Sequence, residues 1–192
     1  MMFSERKKLP VILEQDEAKK LLLIPNKRYP TGLRNKAMLA LMVNLGLRVS
    51  EVANLKLSDI NLSKSKLRVV DGKNGKDRDL LIPIFTLELL KLWNKKRINS
   101  IFFFDTLKGK KLSTRYIQAM VGRCSKKAGI KKNVTPHTLR HTFATEFYRQ
   151  TKDIETLKRL LGHTNINTTQ IYITLANIDV ENAMNSFREF VI

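Results

Sequence analysis

The residues of this chain that could do chemistry are two arginines, a lysine, two histidines and a tyrosine, in a fixed order. They are Arg48, Lys73, His137, Arg140, His163 and Tyr172. Arginine forks match pairs of phosphate oxygens, and histidines add hydrogen bonds at the same centre. A lysine can protonate a departing alkoxide, and a tyrosine with a pKa of ~10 becomes a nucleophile once it is deprotonated. The set therefore predicts transfer of a DNA strand onto tyrosine, with cations in place of a metal.

Two alternative interpretations explain these residues without a shared site. His137 and His141 lie four positions apart on a predicted helix and could be a metal pair. A metalloprotease motif needs Glu after the first histidine, whereas this chain has Thr138, so we predict no metal site. Taken alone, each residue also fits a surface charge, a helix-face pair, a capping group or a core aromatic. Their joint order and spacing favour a shared site.

The charge of the chain points to a polyanionic partner. Its 192 residues contain 36 Lys and Arg against 17 Asp and Glu, a net charge of +19. A single cysteine excludes an internal disulfide, and no apolar stretch approaches the ~18–20 residues of a membrane span. No signal peptide is visible, so we expect a cytoplasmic protein. Nine basic residues between positions 106 and 135 have no acidic residue among them: Lys108, Lys110, Lys111, Arg115, Arg123, Lys126, Lys127, Lys131 and Lys132.

The elements that must position these residues are mostly helices. Apolar spacing and turn residues predict helices at 14–24, 31–45, 51–57, 87–97, 113–128 and 136–150, and short helices after 154. Gly46 is a predicted C-cap, and Ser50 and Ser113 are predicted N-caps. Strands at 67–70 and 79–84 flank a Gly- and Asn-rich hairpin. We therefore predict one mainly α-helical α+β domain with a small antiparallel β-sheet.

Five sequence motifs resemble those of the tyrosine recombinase (phage integrase) family and occur in the family's order. They are GLRVSEV at 46–52, GK at 72–73, PHTLRHTFAT at 136–145, LLGH at 160–163 and QIY at 170–172. The resemblance covers about residues 9–190 and implies the fold of the family's catalytic domain. It also implies a site-specific recombinase that works through a 3′-phosphotyrosine intermediate, without a cofactor.

The resemblance implies a role for each residue of the set. Arg48 and Arg140 would bind the scissile phosphate, and His163 would hydrogen-bond it. Lys73 would protonate the 5′-oxygen, Tyr172 would attack the phosphorus, and His137 would assist proton transfer or steady an oxygen. Glu51 and His141 would contact these residues and steady them without touching the phosphate themselves.

The DNA contacts and the assembly are expectations of the same kind. The expected partners are double-stranded DNA, further copies of the chain in a tetrameric synapse, and accessory directionality proteins, with no membrane. Candidate DNA-binding residues are Lys76, Arg78, Lys108, Lys110, Lys111, Arg115, Arg123 and Lys131.

The domain limits complete the sequence-based predictions. Residues 1–10 would be a short leading segment, 11–177 the catalytic domain, and 178–192 a C-terminal helix. The apolar stripe of that helix would pack either on the core of its own chain or on a neighbouring protomer, and in the second case the helix is exchanged between protomers. The family's N-terminal core-binding domain would be absent from this chain. Two other functions remain open: a non-catalytic DNA-binding regulator of the same fold, and a nicking enzyme similar to type IB topoisomerases.

Overall fold

The computed structural model describes residues 9–70, 77–162 and 171–177. These residues form a mostly helical domain with one small sheet, as predicted. In chain order the elements are α1 (Gln15–Leu23), α2 (Pro30–Leu45), α3 (Val49–Asn54), a 3-10 turn (Leu57–Asp59), β1 (Ile60–Asn61), β2 (Lys66–Val69), β3 (Arg78–Leu81), α4 (Ile84–Lys96), α5 (Thr114–Lys127), α6 (Pro136–Thr151) and α7 (Ile154–Leu161). Residues 171–177 are also helical.

Helix α2 forms the centre of the core. Its leucines, alanines and methionines are buried on nearly every face of the helix. A helix that is apolar all round must be covered on all sides, and α2 packs against α1, α3, α4 and α6. Helix α6, which carries the His-x-x-Arg motif, thereby packs against the centre of the core.

A second, smaller apolar cluster holds the tyrosine-bearing helix. Ala144 of α6 and Leu157 and Leu161 of α7 pack with Tyr172 and Leu175 of the 171–177 helix. Tyr172, the nucleophile predicted from the sequence, is therefore placed against α7 and against α6, which carries the predicted site residues His137 and Arg140.

The sheet is antiparallel with the order β1-β2-β3. Leu67 of β2 pairs with Leu80 of β3, which confirms the predicted pairing of the two strands. Strand β1, paired through Ile60, was missed because two residues are too few for a period-2 pattern. The predicted hairpin at 71–76 lies outside the described residues.

The turn between α2 and α3 requires a glycine. Gly46 has φ +66°, and a Cβ there would lie 2.4 Å from the Cδ1 atom of Phe143. The prediction of Gly46 as a C-cap is thus confirmed.

The predicted cap of the next helix was wrong. Arg48, not Ser50, is the N-cap of α3, because the Glu51 carboxylate reaches back to accept the Arg48 backbone N–H at 2.7 Å. At α5, Ser113 is the N-cap as predicted, and its Oγ accepts the N–H of Tyr116 at 3.1 Å. None of the described helices is long and apolar enough to cross a membrane.

Candidate active site

Arg48 stands at the start of α3, directly after the Gly46 turn. Its Nη1 donates to Glu51 Oε1 at 2.8 Å, and its Nη2 lies 3.4 Å from the carbonyl oxygen of Gly162. The side chain remains 31% exposed, so it is anchored and yet open to an incoming group. A guanidinium held in this way can donate charge-assisted hydrogen bonds to an anion.

Arg140 lies on the second turn of α6 and is buried. Its Nη1 donates to the Gly46 carbonyl at 2.6 Å and its Nη2 to the Leu161 carbonyl at 2.7 Å. These carbonyls end α2 and α7, where the helix dipoles are negative and favour a cation. Burial and the nearby charge of Arg48 lower the pKa of Arg140 to about 10, while Glu51 opposes this shift. Arg140 therefore stays charged at neutral pH.

Glu51 is the acidic centre of this cluster. Burial acts to raise its pKa, but the hydrogen bonds and charge of Arg78, the Arg48 backbone N–H and the charge of Arg140 lower the pKa below its ordinary value. Glu51 is thus ionised and accepts hydrogen bonds from the guanidinium groups of Arg48 and Arg78.

Tyr172 is almost completely buried, with 2% of its surface exposed. Its hydroxyl lies 3.0 Å from the Nδ1 atom of His141. Burial raises the pKa of the Tyr172 phenol, while the charges of Arg140 and Arg48 act in the opposite direction. The phenol therefore stays protonated at neutral pH, and an imidazole that can accept a proton lies beside it.

The two histidines of α6 differ in their surroundings. His137 is exposed, whereas His141 is partly buried. Burial, with the charges of His137 and Arg140, lowers the pKa of His141, which leaves its imidazole neutral at pH 7. The contact of His141 with the phenol was not foreseen. The spacing of four between the histidines, which puts both on one helix face, was the signal for it.

Three predicted site residues lie outside the described residues. Lys73, Lys76 and His163 stay predictions from the sequence, because the structure describes neither 71–76 nor 163–170. Within the part of the chain that is described, no group of three or more His, Cys, Asp and Glu could hold a metal ion.

Arg78 is placed differently from the prediction that it contacts DNA. Its side chain is 7% exposed, and its Nη1 and Nη2 donate to the two oxygens of Glu51 at 3.0 and 2.9 Å. An arginine buried in this way cannot also reach a phosphate outside. The prediction failed because the partner that draws Arg78 inward lies 27 positions earlier in the chain.

The basic run retains the surface character that was expected of it. All the predicted DNA-binding residues of the run are exposed: Lys108, Lys110, Lys111, Arg115, Arg123 and Lys131. Lys132 differs from them, because its Nζ donates to Glu17 of α1 at 2.6 Å. The basic run itself contains no acidic residue, but Lys132 is paired with a carboxylate from helix α1.

Sequence comparisons place these features among known proteins. A family model described as the phage integrase family matches residues 12–177. The chain is 41% identical over 172 residues to the tyrosine recombinase XerA of Pyrococcus horikoshii, covering 86% of this chain and 57% of the relative. It is 35% identical over 189 residues to the tyrosine recombinase XerD of Staphylococcus aureus, covering 94% and 63%. The chain thus spans about three fifths of these curated relatives.

A solved structure shows the same fold. The site-specific recombinase XerH, bound to a palindromic difH substrate in a post-cleavage complex, matches with a TM-score of 0.82 and 30% identity. The match covers 97% of this chain and 56% of that one.

Proposed function

The chain belongs to the phage integrase family, and from that premise we propose that it is a tyrosine-type site-specific DNA recombinase. It would cut and rejoin DNA strands through a 3′-phosphotyrosine intermediate. The observation that carries this proposal is the Tyr172 phenol, which is in hydrogen-bond contact with His141 and in the electrostatic field of Arg140 and Arg48.

The charges of the described cluster support an anionic substrate. Arg48, Arg78 and Arg140 carry three positive charges, and Glu51 carries the compensating negative one. Desolvated cations that are already in place stabilise the charge that develops on a phosphate under attack without reorganisation. Such a site would lower the barrier for phosphodiester attack without a metal or another cofactor.

The proposed reaction is an in-line displacement. The Tyr172 oxygen forms a bond to phosphorus, its proton passes to His141, and the bond to the 5′-oxygen breaks. Lys73 would protonate that oxygen, while His163 and His137 would hydrogen-bond the phosphate oxygens. Attack by a 5′-hydroxyl on the phosphotyrosine reverses these steps, so the bond energy is conserved and no nucleotide cofactor is consumed.

Stoichiometry supports assembly on DNA. Exchange between two duplexes breaks four strands, and each chain supplies one such nucleophile. We therefore propose that four copies act in one synapse on double-stranded DNA, with accessory proteins setting its direction. Such a substrate places the protein in the compartment that holds the DNA, which we propose is the cytoplasm.

Covalent trapping tests this function without a defined target sequence. The protein is incubated with a pool of short duplexes of random sequence that carry nicks, so that the fragment released by cleavage diffuses away and rejoining fails. We expect denaturant-resistant protein–DNA adducts with wild type and none with Tyr172→Phe.

Four outcomes are informative, three from the short duplexes and one from a parallel assay on supercoiled DNA. Adducts that depend on Tyr172 support the enzyme, and exchange between two of the captured duplexes supports the recombinase. Relaxation of supercoiled DNA without exchange would overturn the recombinase in favour of a topoisomerase-like nicking enzyme. Duplex binding without any adduct would overturn the enzyme in favour of a non-catalytic regulator.

A further inference from the structure

Arg78 contacts residues of the candidate active site, but its side chain is buried and does not face the space where a substrate would bind. It is the first residue of β3, and each of its three guanidinium nitrogens has an acceptor inside the protein. Nε donates to the Leu160 carbonyl at 2.7 Å, and the two Nη atoms donate to the two oxygens of Glu51. Arg78 therefore joins β3 to α3 and to the end of α7.

The end of α7 is held by three arginines at once. Arg78 binds the carbonyl of residue 160, Arg140 that of residue 161, and Arg48 lies near that of residue 162. Consecutive carbonyls at a helix C-terminus carry its negative dipole, which explains their attraction for cations. The backbone passes so close to Arg78 that a Cβ at Gly162 would lie 3.1 Å from its Nη1 atom.

The same carboxylate links Arg78 to Arg48. Glu51 Oε1 accepts from Nη1 of both arginines, at 3.0 Å from Arg78 and at 2.8 Å from Arg48. The side chains of Arg78 and Glu51 are each 7% exposed, whereas that of Arg48 is 31% exposed. The buried Arg78–Glu51 pair thus fixes the carboxylate oxygen that binds one side of the partly exposed Arg48 guanidinium.

We propose that Arg78 is a positioning residue for strand cleavage, which sets the Arg48 guanidinium through Glu51 and the end of α7. This inference rests on the proposed function. A planar fork is needed because both carboxylate oxygens and one carbonyl are bound in fixed directions. A lysine would keep the charge but lose that geometry.

The test compares Arg78→Met and Arg78→Lys with wild type on a duplex captured by trapping. The control is Arg68→Met on the neighbouring strand β2, which removes an exposed arginine paired with Asp77. Loss of a residue that hydrogen-bonds a metal ligand typically costs about 10- to 100-fold in activity, and we take the same range for a residue that orients a phosphate-binding arginine. We expect that loss in adduct rate for Arg78→Met, a smaller loss for Arg78→Lys, and duplex binding close to wild type for both.

Two further measurements separate positioning from a general loss of structure. A methylphosphonate at the scissile position has no negative charge, so the deficit of Arg78→Lys should shrink on it, as that of Arg48→Ala should. The double variant Arg48→Ala/Arg78→Met should react about as slowly as Arg48→Ala alone, because two residues that act as one unit are not additive.

The result that would overturn the inference is specific. It fails if wild type forms adducts and Arg78→Lys, with an unchanged melting temperature, reacts at the wild-type rate. It also fails if the deficit is equal on the charged and the neutral substrate, since that result indicates a global defect. Absence of adducts from wild type would instead reject the proposed function, so the two failures are distinct.

Discussion

At the scale of single residues, the burial of Tyr172, the proposed nucleophile, affects how the proposed cleavage depends on pH. The Tyr172 phenol has a raised pKa, and the neighbouring His141 has a lowered one. Neutral imidazole accepts a proton and protonated imidazole does not. We therefore expect adducts to form at the full rate above the pKa of His141. The rate should fall as the pH drops through that pKa, which lies below the ordinary histidine value.

Replacement of His141 tests this pH dependence. The variant His141→Gln keeps a hydrogen-bonding side chain that does not titrate, and general-base loss typically costs about 100-fold or more. We expect a slower adduct rate and disappearance of the acidic fall, measured as single-turnover rates between pH 5 and 8. His137→Gln serves as the comparison and should retain the fall. An unchanged pH profile in His141→Gln would contradict the assignment.

The sequence predicted the types of the site residues better than their partners. Arg48, Arg140 and Tyr172 were identified from residue type and order, and the structure brings their elements together. The hydrogen bond of His141 to the phenol and the burial of Arg78 arise from partners 31 and 27 positions away. No local pattern encodes such pairings, because they depend on how the helices pack.

At the scale of elements, the turn that delivers Arg48 depends on one glycine. Gly46 combines a left-handed backbone with the contact to Phe143, and its carbonyl also binds Arg140. Gly46→Ala should lower the free energy of unfolding by about 1–3 kcal/mol through strain and overpacking. Chemical denaturation measures this change.

A glycine within a helix provides the matched control for that turn. A Cβ at Gly122 in α5 would meet nothing within 4 Å. Gly122→Ala should therefore leave the protein equally stable or stabilise it by about 0.5–1 kcal/mol. An equal change in the free energy of unfolding for both variants would contradict this prediction. It would show that the side chain of Phe143 moves away from a Cβ at Gly46 without a loss of stability.

The boundaries of the elements could be predicted where a strong local signal exists. Pro136 begins α6 and Ser113 caps α5, since proline geometry and a hydroxyl cap act within one turn. Helix α4 begins at Ile84, three residues before the predicted start, because exposed Ile84 and Phe85 do not follow the apolar pattern. A helix end made of exposed residues leaves no apolar spacing in the sequence by which to place it.

At the scale of the whole molecule, two populations of cations stand out within the net charge of +19. The arginines of the cluster lie inside the protein or at its edge and are compensated by Glu51 and helix-end carbonyls. The lysines of the basic run are exposed, apart from Lys132, which is partly buried and pairs with Glu17. The first population suits one phosphate in a chemical step, and the second suits the remaining backbone of a duplex.

This division predicts a difference in salt dependence. Replacement of Lys108, Lys110 and Lys111 by glutamine should weaken duplex binding and reduce the slope of log K against log salt by about 2–3, since each lost phosphate contact removes about 0.9. The control replaces three exposed lysines of α4 by glutamine: Lys91, Lys95 and Lys96. Both variants lose the same charge, so a purely long-range effect would alter them equally. Titrations at several salt concentrations should show a change of less than about 1 in the control slope, and equal slopes would place the DNA elsewhere on the surface.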